Sequence, residues 1–175
     1  MTVGIRTFGL LLTMAFKSYG ASKIMVLGLE RDKLRLEKAK ELGADVTIVS
    51  DSGDPVEEVK ALTHGRGADI VVEAGGTPEA FNLAYRMVRG GGQIAALGYS
   101  NHGELEPIIL ARQEITILGL VAFTSKHFSK AINWLQTGKV DNTAIVSHTL
   151  PLDRAEEGIL LMKNKEATKV LLTLD

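Results

Sequence analysis

The residues best placed to do chemistry stand at the start of the chain. Gly4-Ile5-Arg6-Thr7-Phe8-Gly9 runs straight into Leu10–Ser18, an apolar segment of helical length. A G-x-G-x-x-G turn between a strand and a helix is a dinucleotide fingerprint. Its first glycine makes the tight turn, its second lets the backbone touch a pyrophosphate, and its third lets the helix pack on the strand. Gly4 and Gly9 take the first and third places, and Arg6 takes the second. Free N–H groups at the helix start, among them those of Thr7 and Phe8, then hold the anion. Arg6 keeps that end positive. It either forks onto the phosphates or blocks them. The alternative makes Gly4 and Gly9 turn and packing glycines only.

An acidic residue about 20 positions further on meets an adenosine ribose in such proteins. The apolar run Lys23–Leu29 ends at Gly28-Leu29-Glu30-Arg31. Counting forward from Gly9 puts Gly28 in the acidic slot. Counting back from Leu42-Gly43-Ala44-Asp45 puts Glu30 there. Glu30 favours a free 2′-hydroxyl and hence NAD. Arg31, Lys33 and Arg35 answer a 2′-phosphate instead. The plain alternative is a solvated helix start.

These positions need a frame. Short apolar runs at Lys23–Leu29, Val46–Val49, Asp69–Glu73, Gln93–Leu97 and Ile115–Ala122 predict strands. Helices are predicted between them: Asp32–Leu42 with Gly43 as its stop, Pro55–Thr63, Thr77–Val88 with Thr77 as cap and Pro78 at the first helical position, and Ser125–Gln136. Nearly all-apolar strands alternating with helices imply a doubly wound, mostly parallel α/β sheet of Rossmann type, with helices on both faces. Residues 1–143 make that unit. Residues 144–175 read as a strand–helix–strand appendage, through Ala144–Leu150, Leu152–Lys163 and Lys169–Leu174. The first strand is largely missing, because only Thr2 and Val3 precede Gly4. It belongs in the middle of the sheet, so Met1–Val3, a swapped segment or a partner must fill the gap.

Composition removes several classes. The 20 Lys+Arg and 21 Asp+Glu leave a net charge of −1, so no basic excess points to nucleic acid or an anionic membrane. There is no cysteine, which excludes disulfides, thiolate catalysis and cysteine-ligated zinc within this sequence. The apolar runs are far shorter than the roughly 20 residues that span a bilayer, and no secretory signal follows Met1, so a soluble cytoplasmic protein is expected. His64, His102, His127 and His148 lack ligand spacing and read as structural or solvated. Asp153, Glu156 and Glu157 read as a helix-dipole partner and a solvated face. No carboxylate pair or Ser–His arrangement suggests a catalytic site, so no catalytic or metal-binding residue is assigned.

Taken together, Gly9-Leu10-Leu11, Gly20-Ala21-Ser22-Lys23, Arg35–Asp45, Gly67–Glu73, Gly90–Ile94, and a tail of Val146–Leu152 and Lys169–Leu172 resemble the coenzyme domain and final segment of the medium-chain, zinc-type alcohol, polyol and threonine dehydrogenases. The resemblance covers almost the whole chain. It places Gly4, Arg6 and Gly9 at the phosphate loop and Gly28 or Glu30 at the ribose. It puts Gly75 and Gly76 beside the adenosine half. Leu97, Gly98 and Tyr99, with Leu120 and Ala122, fall where the nicotinamide carboxamide is held. Lys169 falls where some relatives keep an arginine for the pyrophosphate. The family's catalytic half, with its zinc ligands and proton relay, precedes this domain and is absent from this sequence.

Three expectations follow. The first is an NAD-binding domain, with NADP possible, of an enzyme that passes hydride between nicotinamide and a secondary alcohol. This chain alone is then inactive, and zinc is expected only in the other half. The second is a non-catalytic dimerisation or interaction module that has lost its cofactor. The third is the NADPH-binding domain of a zinc-free, quinone-reductase-type relative. The resemblance also implies a homodimer, paired across a two-fold axis near Ile115–Ala122.

Overall fold

The computed structural model describes residues 1–174. Strands β1 (Thr2–Val3), β2 (Met25–Gly28), β3 (Val46–Val49), β4 (Ala68–Glu73), β5 (Val88–Ala96) and β6 (Thr116–Gly119) form one sheet, in the order β3-β2-β1-β4-β5-β6. Every adjacent pair is parallel. The chain winds from β1 outward to β3, then crosses back to β4 on the other side of β1. That reversal opens a crevice beyond the carboxyl ends of β1 and β4, where ligands of open α/β sheets bind.

Side chains alternate across the strands and build a core on each face. Val3, Leu27, Ile48, Val71 and Ile94 meet Val56 and Val59 of α3 (Pro55–Leu62) and Ala84 and Met87 of α4 (Pro78–Met87). On the other face Ile5 and Val26 meet Leu10 and Met14 of α1 (Thr7–Ser18) and Leu36 and Ala39 of α2 (Lys33–Glu41). The predicted cap at Thr77 forms, and Asp54 adds one to α3. Thr77 Oγ1 accepts the Ala80 N–H at 3.2 Å, and Asp54 Oδ1 accepts the Val56 N–H at 2.9 Å.

The short first strand is complete enough to close the sheet. Thr2 pairs with Val26 and Val72, and Val3 with Leu27 and Glu73. Met1 extends the pairing: its carbonyl accepts the Val72 N–H at 2.9 Å, and its amine donates to Ile70 O at 2.8 Å. Of the three ways to fill the gap, Met1–Val3 is the one seen. Burial lowers the Met1 amine pKa to about 6.

Several bounds differ from the sequence expectation. β5 begins at Val88, because the register against β4 shifts between Ala68 and Ile70 and absorbs Gly90–Gly92. β6 stops at Gly119, and Ala122 takes a left-handed φ of 57°. Ala144 and Ile145, expected to open a strand over Ala144–Leu150, instead end a 3-10 turn, Asn142–Ile145, capped by Asp141.

Helices α5 (Pro107–Gln113) and α6 (Ser125–Gln136) follow β5 and β6 and bury no residue fully. Beyond them β7 (His148–Pro151), α7 (Ala155–Lys163) and β8 (Val170–Thr173) make a separate two-stranded parallel sheet. Arg35 of α2 binds it to the main body by donating to Ala167 O at 2.9 Å. No helix among the described residues is long and apolar enough to cross a membrane.

Candidate functional site

The crevice is built by the turns that leave β1, β2, β4 and β5. Gly4 leaves β1 with φ +96°, and a Cβ there would lie 2.5 Å from Gly75 N in the turn after β4. The two turns therefore touch backbone to backbone. At Gly9 a Cβ would lie 2.4 Å from Gly4 O, so α1 can seat on the turn only with glycine there. Both fingerprint glycines are thus required by contact. Arg6 is the residue before α1, and its side chain makes no cap. First-turn N–H groups of a helix have no intrahelical acceptor, so the positive end of α1 faces the crevice.

The main crevice holds about 780 Å³. Arg6, Thr7 and Phe8 line it with Gly75, Gly76 and Thr77 and with Leu97, Gly98 and Tyr99. A recess of about 170 Å³ continues it toward β2, past Gly4, Gly28 and Leu29. Arg6, Arg31 and Lys165 line both parts. The cations Arg6, Arg31, Arg35, Lys163 and Lys165 border this space against the carboxylates Asp32 and Glu79.

A buried carboxylate braces the far wall. Glu73, at the end of β4, is almost wholly buried. Its Oε1 accepts the Gly76 N–H at 2.7 Å, and its carbonyl accepts the Leu97 and Gly98 N–H groups, each at 2.9 Å. One residue so ties together the turns after β4 and β5.

Not every expected residue gathers here. Glu30 is exposed and does not border the crevice; its N–H donates to Asp51 Oδ1 at 2.8 Å. Arg35 does border it, but its guanidinium is buried and engaged by Asp32 Oδ1 at 3.3 Å and Ala167 O at 2.9 Å. Lys33 is exposed outside the crevice. Leu120 and Ala122 follow the edge strand β6 and lie outside the lining, as does Lys169. The tail's cations at the crevice are Lys163 and Lys165, which sequence reasoning missed. The only local signal was Asn164-Lys165 just past a helix, where left-handed backbone is common.

Of the histidines, His127 Nδ1 accepts the Thr124 N–H at 3.2 Å at the start of α6. His148 Nδ1 lies 2.9 Å from Ser147 Oγ. Among the described residues no group of three or more His, Cys, Asp or Glu could hold a metal ion.

Residues 8–137 match the family model described as zinc-binding dehydrogenase. The chain is 34% identical over 97% of its length to sorbitol dehydrogenase of Bacillus subtilis, covering 48% of that protein. It is 31% identical over 97% of its length to L-threonine 3-dehydrogenase of Bacillus velezensis, covering 49% of it. It superposes on alcohol dehydrogenase TADH from Thermus sp. ATN1 with a TM-score of 0.90 at 31% identity, over 98% of this chain and 49% of that one. Two further structures carry cofactor. An alcohol dehydrogenase from Escherichia coli CFT073 complexed with NADH gives a TM-score of 0.86 at 25% identity, over 99% and 51% of the two chains. A zinc-binding dehydrogenase from Sinorhizobium meliloti bound to NADP gives 0.83 at 26% identity, over 90% and 47%. The chain spans about half the length of the relatives it matches.

Proposed function

Because this chain belongs to the zinc-binding dehydrogenase family, we propose that it binds a nicotinamide dinucleotide in the crevice between β1 and β4. One observation carries the reading. Gly4, Gly75 and Gly9 bring two backbone turns and a helix into contact, and the uncapped end of α1 and the Arg6 side chain face the space beside them. That cradle fits a diphosphate. The first-turn N–H groups of Thr7 and Phe8 donate to it. Arg6 closes on it as a charged fork, in place of the backbone contact a glycine would allow. Gly75 and Gly76 pass beside the adenosine half. Leu97, Gly98 and Tyr99 flank the nicotinamide, and Glu73 holds their turn at a fixed distance from the Gly76 turn.

When bound, the dinucleotide supplies a hydride acceptor or donor at the nicotinamide ring. This chain's residues bind and orient it. Reaction with a secondary alcohol or ketone requires a second half of the kind that makes up the rest of the relatives' length. Zinc does not fit the described residues of this chain, and no step here passes through it. In the intact enzyme residues 144–175 belong with that catalytic half.

The reading extends to a homodimer. β6 is an edge strand. Leu118 on it, and Leu120, Val121 and Phe123 after it, are exposed apolar residues. An unpaired edge of that composition invites pairing with a second copy. Light scattering that shows only monomer at micromolar concentration removes this part.

Calorimetric titration with NAD and NADP tests the main claim. Micromolar affinity for either is expected, and no heat at millimolar ligand overturns it. Arg6→Ala is expected to weaken binding about ten- to hundredfold, in line with the 1.5–3 kcal/mol of a charge-assisted hydrogen bond.

A further inference from the structure

Lys165 stands just past α7 in a left-handed backbone conformation, φ 68°. Glycine fits there freely, and a lysine does not. Its ammonium lies 3.4 Å from Asp32 Oδ1, and its side chain is largely buried. It lines both the crevice and the recess beside β2, as does Arg31. Asp32 is shared, since Arg35 Nη1 also holds it at 3.3 Å. The recess therefore carries more positive than negative charge, and the one carboxylate at its β2 end is already doubly engaged.

In this fold the adenosine ribose lies over the end of β2, next to the phosphate turn. An unengaged carboxylate there accepts hydrogen bonds from both ribose hydroxyls. Among the described residues at the end of β2 there is none: Gly28 has no side chain, Glu30 lies outside the lining, and the recess's other carboxylate, Glu79, stands on α4. We propose that Lys165, together with Arg31, receives a phosphate on that ribose. Lys165 is then a specificity-determining residue that selects the 2′-phosphorylated dinucleotide. Asp32 orients the ammonium, and the dianionic phosphate is a stronger partner for it than a carboxylate shared with Arg35. The inference rests on the dinucleotide reading above and names which form the site takes.

The test is calorimetry on the whole chain with NADP, NAD and adenosine 2′,5′-bisphosphate, comparing wild type with Lys165→Gly and Arg31→Ala. Lys165→Gly removes the ammonium and relieves the left-handed backbone, so its melting temperature should hold or rise. Wild type is expected to bind NADP at least tenfold tighter than NAD and to bind the bisphosphate measurably. Lys165→Gly should weaken NADP and bisphosphate at least tenfold and leave NAD within twofold. NADP binding should also fall more steeply with added salt. An equal loss for NADP and NAD assigns Lys165 to the diphosphate and overturns the inference. So does no loss, or a wild type that prefers NAD. Those outcomes leave the dinucleotide reading standing, whereas a wild type that binds neither dinucleotide overturns both.

Discussion

The two halves of the sheet are finished differently. Around β1, β2 and β3 the strands are covered on both faces, and their apolar side chains lie in the two cores. Toward β6 the cover thins: no residue of α5 or α6 is fully buried, and Val121 and Phe123 are 75% and 72% exposed. The closed half is held by its own packing and shapes the crevice. The open half displays apolar surface of the kind that interfaces use. Burial, more than strand propensity, thus separates the two halves.

Substitutions can break that contrast. Ile94 in β5 is fully buried, so Ile94→Ala should destabilise by about 2–5 kcal/mol, read from urea denaturation. A loss under about 0.5 kcal/mol would show that β5 already belongs to the loose half. Next comes Gly4→Ala. Its left-handed φ alone is worth about 1–3 kcal/mol, and the contact with Gly75 adds to it, so a loss near 3 kcal/mol with abolished nucleotide binding is expected. The third test is pH. In a chain with a free amine at Met1, the folded pKa of about 6 lies below the usual value of 8.0. Burying the ammonium opposes folding fully below pH 6, and the opposition is gone above pH 8. Stability should therefore rise through that window by about 2–3 kcal/mol, at about 1.4 kcal/mol per unit. N-acetylation should flatten the rise; a rise that survives acetylation comes from elsewhere. The smallest effect belongs to the open half. Leu118→Ala should change monomer stability by less than about 0.5 kcal/mol while weakening self-association seen by light scattering.

Much of the closed half was legible in the sequence. Val46–Val49 matches β3 end to end, and Thr77-Pro78 starts α4 where expected, because caps and apolar runs act locally. The doubly wound order followed from alternation and handedness. The crevice was only partly legible. Gly4, Arg6, Gly75 and Gly98 gather as expected because each ends a strand or begins the next helix. Lys163 and Lys165 were invisible, because their distance from β2 is set by Arg35 reaching residues some 130 positions away. Glu30 lies outside the crevice lining for a related reason. The chain turns through a 3-10 step at Glu30–Asp32 before α2, and counting residues does not reveal which side of that step faces the crevice.

The bond from Arg35 to the Ala167 carbonyl also orders events in time. During synthesis the Arg35 guanidinium must wait for some 130 further residues. Until residues 162–167 are made, that charge lacks its two carbonyl acceptors and the recess beside β2 lacks the Lys165 part of its lining. A nascent chain can therefore assemble its strands before the crevice has its full lining, and removing residues 164–174 should keep the six-stranded sheet while opening the recess beside β2.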